Sequence, residues 1–212
     1  FNIMANFLIQ NGIPEYAVIL LLMLPLAITI VVIGRQIIGI KGFGIATPVF
    51  IAYAYIATGL IAGIIIFLAI LVVGFIIKSI LKNVRLLYLP KMALILIGII
   101  IGVLILLPFI PYRNEIQFPQ AIFSLLIFAL SAEQFASFLI ERGPRKTIGI
   151  IFETLAMAVV IFFLITWQWL QNIVFSYSIF ALIAAALLNF FLGKWTGLRL
   201  SEYIRFKDIM SK

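Results

Sequence analysis

The chain has 212 residues, 66% of them hydrophobic and only 10% charged, with a formal net charge of +8 and no Cys or His. A soluble domain is nearer half apolar and a quarter charged, so no soluble core of this size could hide so much apolar surface. The missing Cys and His exclude disulfides, thiol nucleophiles and the usual zinc, haem and iron–sulfur sites.

Apolar runs of about 18 residues or more recur along the length, each long enough to cross a hydrocarbon core of ~30 Å as a helix. Helices are the expected form, because lipid offers the backbone no hydrogen-bond partner and no period-2 alternation suggests a barrel. Residues 1 to 14 hold Ile3, Met4, Phe7 and Leu8 at helical spacing, then Asn11-Gly12 and Pro14, which predicts an interfacial piece and a turn. The chain opens Phe1-Asn2-Ile3, without an initiator Met or a signal-peptide pattern. A fragment or processed product is the simplest expectation.

Span 1 is expected over Tyr16 to Ile33, kinked at Pro25. The stretch Ile37 to Thr58 carries Gly39, Lys41, Gly42, Gly44, Thr47 and Pro48 ahead of an apolar run, and predicts a loop leading into a short or broken second span that ends at Gly59. Span 3 covers Leu60 to Ile77, followed by a basic loop with Lys78, Lys82, Arg85, Tyr88, Pro90 and Lys91. Span 4 is Met92 to Ile110, and a loop with Arg113 and Glu115 leads to span 5, Phe118 to Ile140. After the basic loop 141–146, span 6 runs from Thr147 to Thr166 and closes on Trp167 and Trp169, an interfacial anchor. Span 7 is expected over Ile173 to Leu192, with a basic amphipathic tail from Lys194 to Lys212. The expected organisation is therefore a linker over 1–14, an all-α seven-span domain over 15–193 and a tail over 194–212.

With seven spans, one side receives Arg35 and Lys41, four cations of the 78–91 loop, three of the 142–146 loop and five of the tail, fourteen in all, against Arg113 alone. If the broken segment does not cross, the split is twelve against three. Positive-inside then puts the C-terminus in the cytoplasm and the N-terminus outside. The basic residues sit in short loops and not on one continuous face, so the charge is a topology signal and not a nucleic-acid footprint. The tail, with Leu198, Tyr203, Ile204 and Phe206 among its cations, is expected to lie on an anionic leaflet or to dock a cytoplasmic partner.

Two acids fall inside spans, Glu133 and Glu153. Each is about 10–12 Å below the cytoplasmic boundary at 1.5 Å per residue. Small residues flank both, Ala129, Ala136 and Ser137 beside Glu133, and Gly149 and Ala156 beside Glu153. Small faces pack against other helices, so both carboxyls are expected to face the interior, with Arg35 and Lys41 as the cations entering from the same side. This predicts either a structural ion pair or a proton relay. A half-helix starting near Pro48 would aim its N–H groups at an anion, and an ordinary glycine-rich loop is the plainer alternative. Gly59-x-x-x-Gly63 and Gly98-x-x-x-Gly102 match the small-residue helix-packing pattern. No catalytic set stands out, and no internal repeat of the kind that builds transporters is evident.

Several strings together carry a resemblance: Arg35-Gln36-Ile37-Ile38-Gly39-Ile40-Lys41 with Phe43-Gly44 and Thr47-Pro48; Arg85-Leu86-Leu87-Tyr88-Leu89-Pro90; Glu141-Arg142-Gly143; and Gly193-Lys194-Trp195-Thr196-Gly197-Leu198-Arg199-Leu200-Ser201-Glu202-Tyr203 with Arg205-Phe206. The chain resembles the bacterial seven-transmembrane domain usually fused behind an inactive transglutaminase-like domain. Gly42 departs from the Thr expected before Phe-Gly. The resemblance implies a non-enzymatic inner-membrane anchor or signalling domain, with no cofactor, attached to an extracytoplasmic domain ahead of Phe1. It also implies an envelope peptide-modifying system whose genes often lie beside an ATP-grasp peptide ligase and a pepsin-like protease. Arg85, Arg142, Arg199, Glu202 and Arg205 are then candidate cytoplasmic docking residues. The competing expectation is a secondary transporter or proton-coupled channel using Glu133, Glu153 and the broken segment. A homo-oligomer or larger membrane complex is compatible with either.

Overall fold

The computed structural model describes residues 3–81, 84, 86–106 and 118–194. Among them every regular element is helical: α1 (Ile3–Gln10), α2 (Glu15–Ile33), α3 (Ala46–Thr58), α4 (Leu60–Ile80), α5 (Tyr88–Leu106), α6 (Phe118–Arg142), α7 (Pro144–Thr166), α8 (Gln168–Ser176) and α9 (Ser178–Gly193). Five stretches are long and apolar enough to cross a membrane, namely Glu15–Ile38, Leu60–Ile80, Tyr88–Ile105, Ile122–Leu139 and Pro144–Thr166. The shorter α3 and the bent pair α8–α9 bring the apolar segments to seven.

Helix α2 runs through Pro25, whose missing N–H removes one backbone bond. One turn on, Thr29 Oγ1 donates to the Pro25 carbonyl at 2.8 Å. The helix then widens into a π turn over Gly34–Ile38. Gly39 ends it at φ 89°, a left-handed conformation glycine adopts without a Cβ clash. The Gly39 and Ile40 N–H groups both donate to the Gly34 carbonyl. The second span is broken as the glycines predicted. At 13 residues, α3 is about 20 Å long, short of a ~30 Å core.

Three boundaries differ from expectation. Tyr88, Pro90 and Lys91 lie in the first turn of α5 and not in a loop, because Pro in the opening turn removes no needed bond. Gly59, at φ 83°, lies on no helix face and separates α3 from α4, while Gly63 of α4 packs under the side chains of Tyr55 and Thr58 of α3. The last span does not begin at Ile173. The chain breaks at Tyr177, and α8 and α9 meet at 101°. The reason is legible on α8, where Gln168, Gln171 and Asn172 fall at helical spacing and form a polar face. An amphipathic helix of this kind suits the membrane surface and not its interior. Helix α9 itself has 16 residues, about 24 Å.

The chain divides into two compact units. A central unit takes Phe50–Leu155, and a terminal unit takes Phe1–Val49 with Ala156–Lys212. In the central unit α4, α5 and α6 pack on one another. Gly98 and Gly102 give α5 a flat face against Ile77 and Val73 of α4, and Gly74 opens α4 to Ile99. A Cβ on Gly98 would come within 2.7 Å of Ile77 Cδ1, so the glycines set the approach. The remaining space is filled by rings. Tyr55 lies 5.8 Å from Phe128, Phe128 5.3 Å from Phe67, and Phe67 5.6 Å from Phe135. In the terminal unit α2 packs against α8 and α9, and α1 touches α2 and α9.

Candidate functional site

The glycine-rich lead of the broken segment, residues 39–48, lies in the terminal unit. Gly39 and Gly44 are both left-handed, at φ 89° and 43°, which explains two of its glycines. Phe43, Thr47 and Pro48 are buried, while Gly42 is half-buried and Lys41 exposed. Arg35 sits half-buried in the π turn. Lys41, Thr47 and Gln36 are each engaged in an interaction within the fold. Helix α3 begins at Ala46, two residues before Pro48, so the segment does enter a short helix from an irregular lead.

Glu133 and Glu153 each lie ten residues from Gly143. That glycine alone separates α6 from α7, at φ 80°. Both carboxyl-bearing residues are half-buried. The packing argument holds for Glu133, whose neighbours Ala129 and Ala136 are buried. It does not carry over to Glu153, because Gly149 and Ala156 are exposed and a Cβ on Gly149 would meet nothing within 4 Å. Glu153 nevertheless engages a partner.

Of the docking candidates, Arg142 is exposed and lays its guanidinium 4.7 Å from the centre of the Phe138 ring one turn back. Arg85, Arg199, Glu202 and Arg205 lie outside the described residues, as do the loop around Arg113 and the tail beyond Lys194.

Two polar constellations were not picked out from the sequence. In the terminal unit Asn189 of α9 donates to Thr29 Oγ1 of α2 at 2.7 Å and also to its own helix at the Ala185 carbonyl. Asn189 is the single Asn, Gln or charged residue of the apolar run Ser178–Gly193, a signal that was available. In the central unit Tyr88 of α5 reaches two residues of α6. Its hydroxyl is 3.1 Å from Ser137 Oγ and donates to Glu141 Oε1 at 3.4 Å. This ties the start of α5 to the end of α6 and fixes the pair as antiparallel. Among the described residues no group of three or more acids could hold a metal ion.

A family model described as seven transmembrane helices usually fused to an inactive transglutaminase matches residues 6–210. The chain belongs to that family. The match covers nearly the whole length and agrees with the seven apolar segments counted above. No curated protein and no solved structure matches the chain. Membership makes it an integral membrane domain, and the family's usual fused transglutaminase is described as inactive.

Proposed function

We propose that this seven-span domain is a non-enzymatic anchor or signalling scaffold in the bacterial inner membrane. It holds a transglutaminase-like domain outside, ahead of Phe1, and engages cytoplasmic partners through its basic loops and tail. The observation that carries this reading is the family match along residues 6–210. The charge split supports the orientation, since fourteen of fifteen cations fall on one side with seven crossings. Arg85, Arg142, Arg199, Glu202 and Arg205 are the candidate docking residues, and an ATP-grasp-type peptide ligase is the candidate partner. The scaffold would pass the state of the outer peptide-binding domain to that partner.

The first test is the intact mass and N-terminal sequence of the native polypeptide. A mass well above the 23.8 kDa of this chain, with sequence ahead of Phe1, is expected. A mass matching this chain alone would remove the anchored domain. Orientation has its own check in a chain without native Cys. A single Cys at Asn114 should label from outside and one at Ser201 should not, and the reverse pattern would invert the topology.

A second reading is a secondary transporter, favoured by one observation: the last of the seven apolar segments is bent at Tyr177, and the second, α3, is short and entered from an irregular lead over 39–45. Discontinuous spans are how many transporters build midplane sites. Under this reading Glu133→Gln and Glu153→Gln abolish flux in a folded protein. Under the anchor reading they change stability or assembly, and charge reversal at Arg142 does more damage.

A further inference from the structure

On α6, Glu133, Ser137 and Glu141 are spaced four apart, so they stand one above another on a single face. Each step is about 6 Å along the axis. Glu141 is exposed at the helix end, Ser137 is half-buried, and Glu133 is half-buried about 12 Å further in. The Tyr88 hydroxyl of α5 bridges the outer two, 3.1 Å from Ser137 Oγ and 3.4 Å from Glu141 Oε1. The outer half of this file is thus already hydrogen-bonded, and its inner end is a carboxyl inside a span. An intramembrane ionisable residue persists only where the fold gives it water, a partner or a proton.

The surrounding groups are few. Helices α4 and α5 both pack on α6. The titratable residues they carry are Lys78, in the last turn of α4, and Tyr88 and Lys91, in the first turn of α5. On α6 itself Arg142 lies over Phe138, and α7, joined through Gly143, carries Arg145, Lys146 and Glu153. No titratable residue of α4 or α5 lies deeper than these terminal turns, and the hydroxyl next in line with Glu133 on its own helix face, Ser137, lies towards the Glu141 end. A separate observation concerns the same core. The Tyr55 hydroxyl is fully buried and has no hydrogen-bond partner. Its ring lies against Phe128, five residues before Glu133 on α6.

We infer that Tyr88, Ser137 and Glu141 form a proton-access file that connects Glu133 to the aqueous face on which Glu141 lies. The proton passes between the Glu141 carboxylate, the Tyr88 and Ser137 hydroxyls and the Glu133 carboxyl, each hydroxyl taking one proton as it releases another, with no net chemistry. The inference concerns the central unit alone and stands whether the domain anchors or transports.

The test uses the full chain in proteoliposomes of uniform orientation. The probe is dicyclohexylcarbodiimide, a membrane-soluble reagent that modifies protonated carboxyls, with the adduct at Glu133 read by peptide mass spectrometry. Lowering the pH by one unit on the Glu141 face alone should raise labelling of Glu133 by up to about tenfold, the change in protonated fraction above a carboxyl's pKa. The same step on the opposite face should leave it unchanged. Replacing both hydroxyls, Tyr88→Phe with Ser137→Ala, should slow deuterium exchange of the Glu133 carboxyl, seen by infrared against a Glu133→Gln blank, by about 100-fold. Labelling that follows the opposite face or both faces equally overturns the file, as does exchange that ignores the double substitution. The side-specific labelling needs no variant, so it decides the matter even if the double substitution disturbs folding.

Discussion

In the central unit Gly98 and Gly102 let α5 close onto Ile77 and Val73 of α4, and four rings, Tyr55, Phe128, Phe67 and Phe135, fill what remains. In the terminal unit α2 and α9 are joined instead by a hydrogen bond from Asn189 to Thr29. Both units face one problem. Lipid tails are as apolar as Leu, so the hydrophobic effect does not drive helices together, and close packing or hydrogen bonding must do so. The central unit relies on packing and the terminal unit adds an amide. The terminal unit also holds irregular backbone, with the π turn, left-handed Gly39 and Gly44 and the bend at Tyr177. Non-helical backbone is tolerated at membrane depth only where protein or a water-lined cavity satisfies it. The central unit's core is thus held by shape, with its polar cluster of Tyr88, Ser137 and Glu141 at the helix ends, whereas the terminal unit sets a polar contact between two of its apolar helices.

The largest expected effect tests the rings. Phe128→Ala or Phe67→Ala should cost about 3–5 kcal/mol, as measured by reversible unfolding in mixed detergent micelles. A loss below about 1 kcal/mol would mean that the rings fill space without holding the unit. Next come the glycines. Gly102→Val drives a branched side chain into Val73 and should destabilise by about 1–3 kcal/mol. Gly149→Ala meets nothing and should be neutral or gain up to about 1 kcal/mol from helix propensity. Equal outcomes for the two would erase the claim that the Gly98–Gly102 face is special.

In the terminal unit Asn189→Leu and Thr29→Val should each cost about 0.6–1.7 kcal/mol, and a double-mutant cycle should return a coupling of similar size. Additive losses would show that the amide and hydroxyl contribute separately and that the bridge is not what joins α2 to α9. The smallest change expected is Arg142→Met. It removes an exposed cation–π contact and should alter stability by about 0.5–1 kcal/mol while weakening any cytoplasmic partner far more. If stability fell sharply and partner binding did not, Arg142 would be structural.

Much of the architecture was legible in the chain. The unbroken apolar runs predicted α2, α4, α6 and α7 to within a few residues, and Gly39, Gly44 and Gly59 predicted the interrupted second span. The last span was misjudged because Ile173, Val174 and Phe175 read as apolar, while Gln171 and Asn172 were counted as its edge and not as one face of a separate helix. Glu133 drew attention by its charge, and its small neighbours do pack. The same argument misfired at Glu153, since Gly149 and Ala156 look equally small on paper but face outward. Small size permits close approach without requiring it.

Residue pattern alone was enough for a seven-segment helical membrane domain, for the clustering of its cations and for the short, irregularly entered second segment. Hydropathy, charge and glycine act locally, and a bilayer allows the backbone few alternatives. It took the packed helices to show that Tyr88 meets Ser137 and Glu141, that Asn189 meets Thr29, and that the chain turns at Tyr177 before α9. Those features depend on the register and rotation of one helix against another. Partners 49 and 160 residues apart along the chain leave no local periodic trace of the contact that joins them.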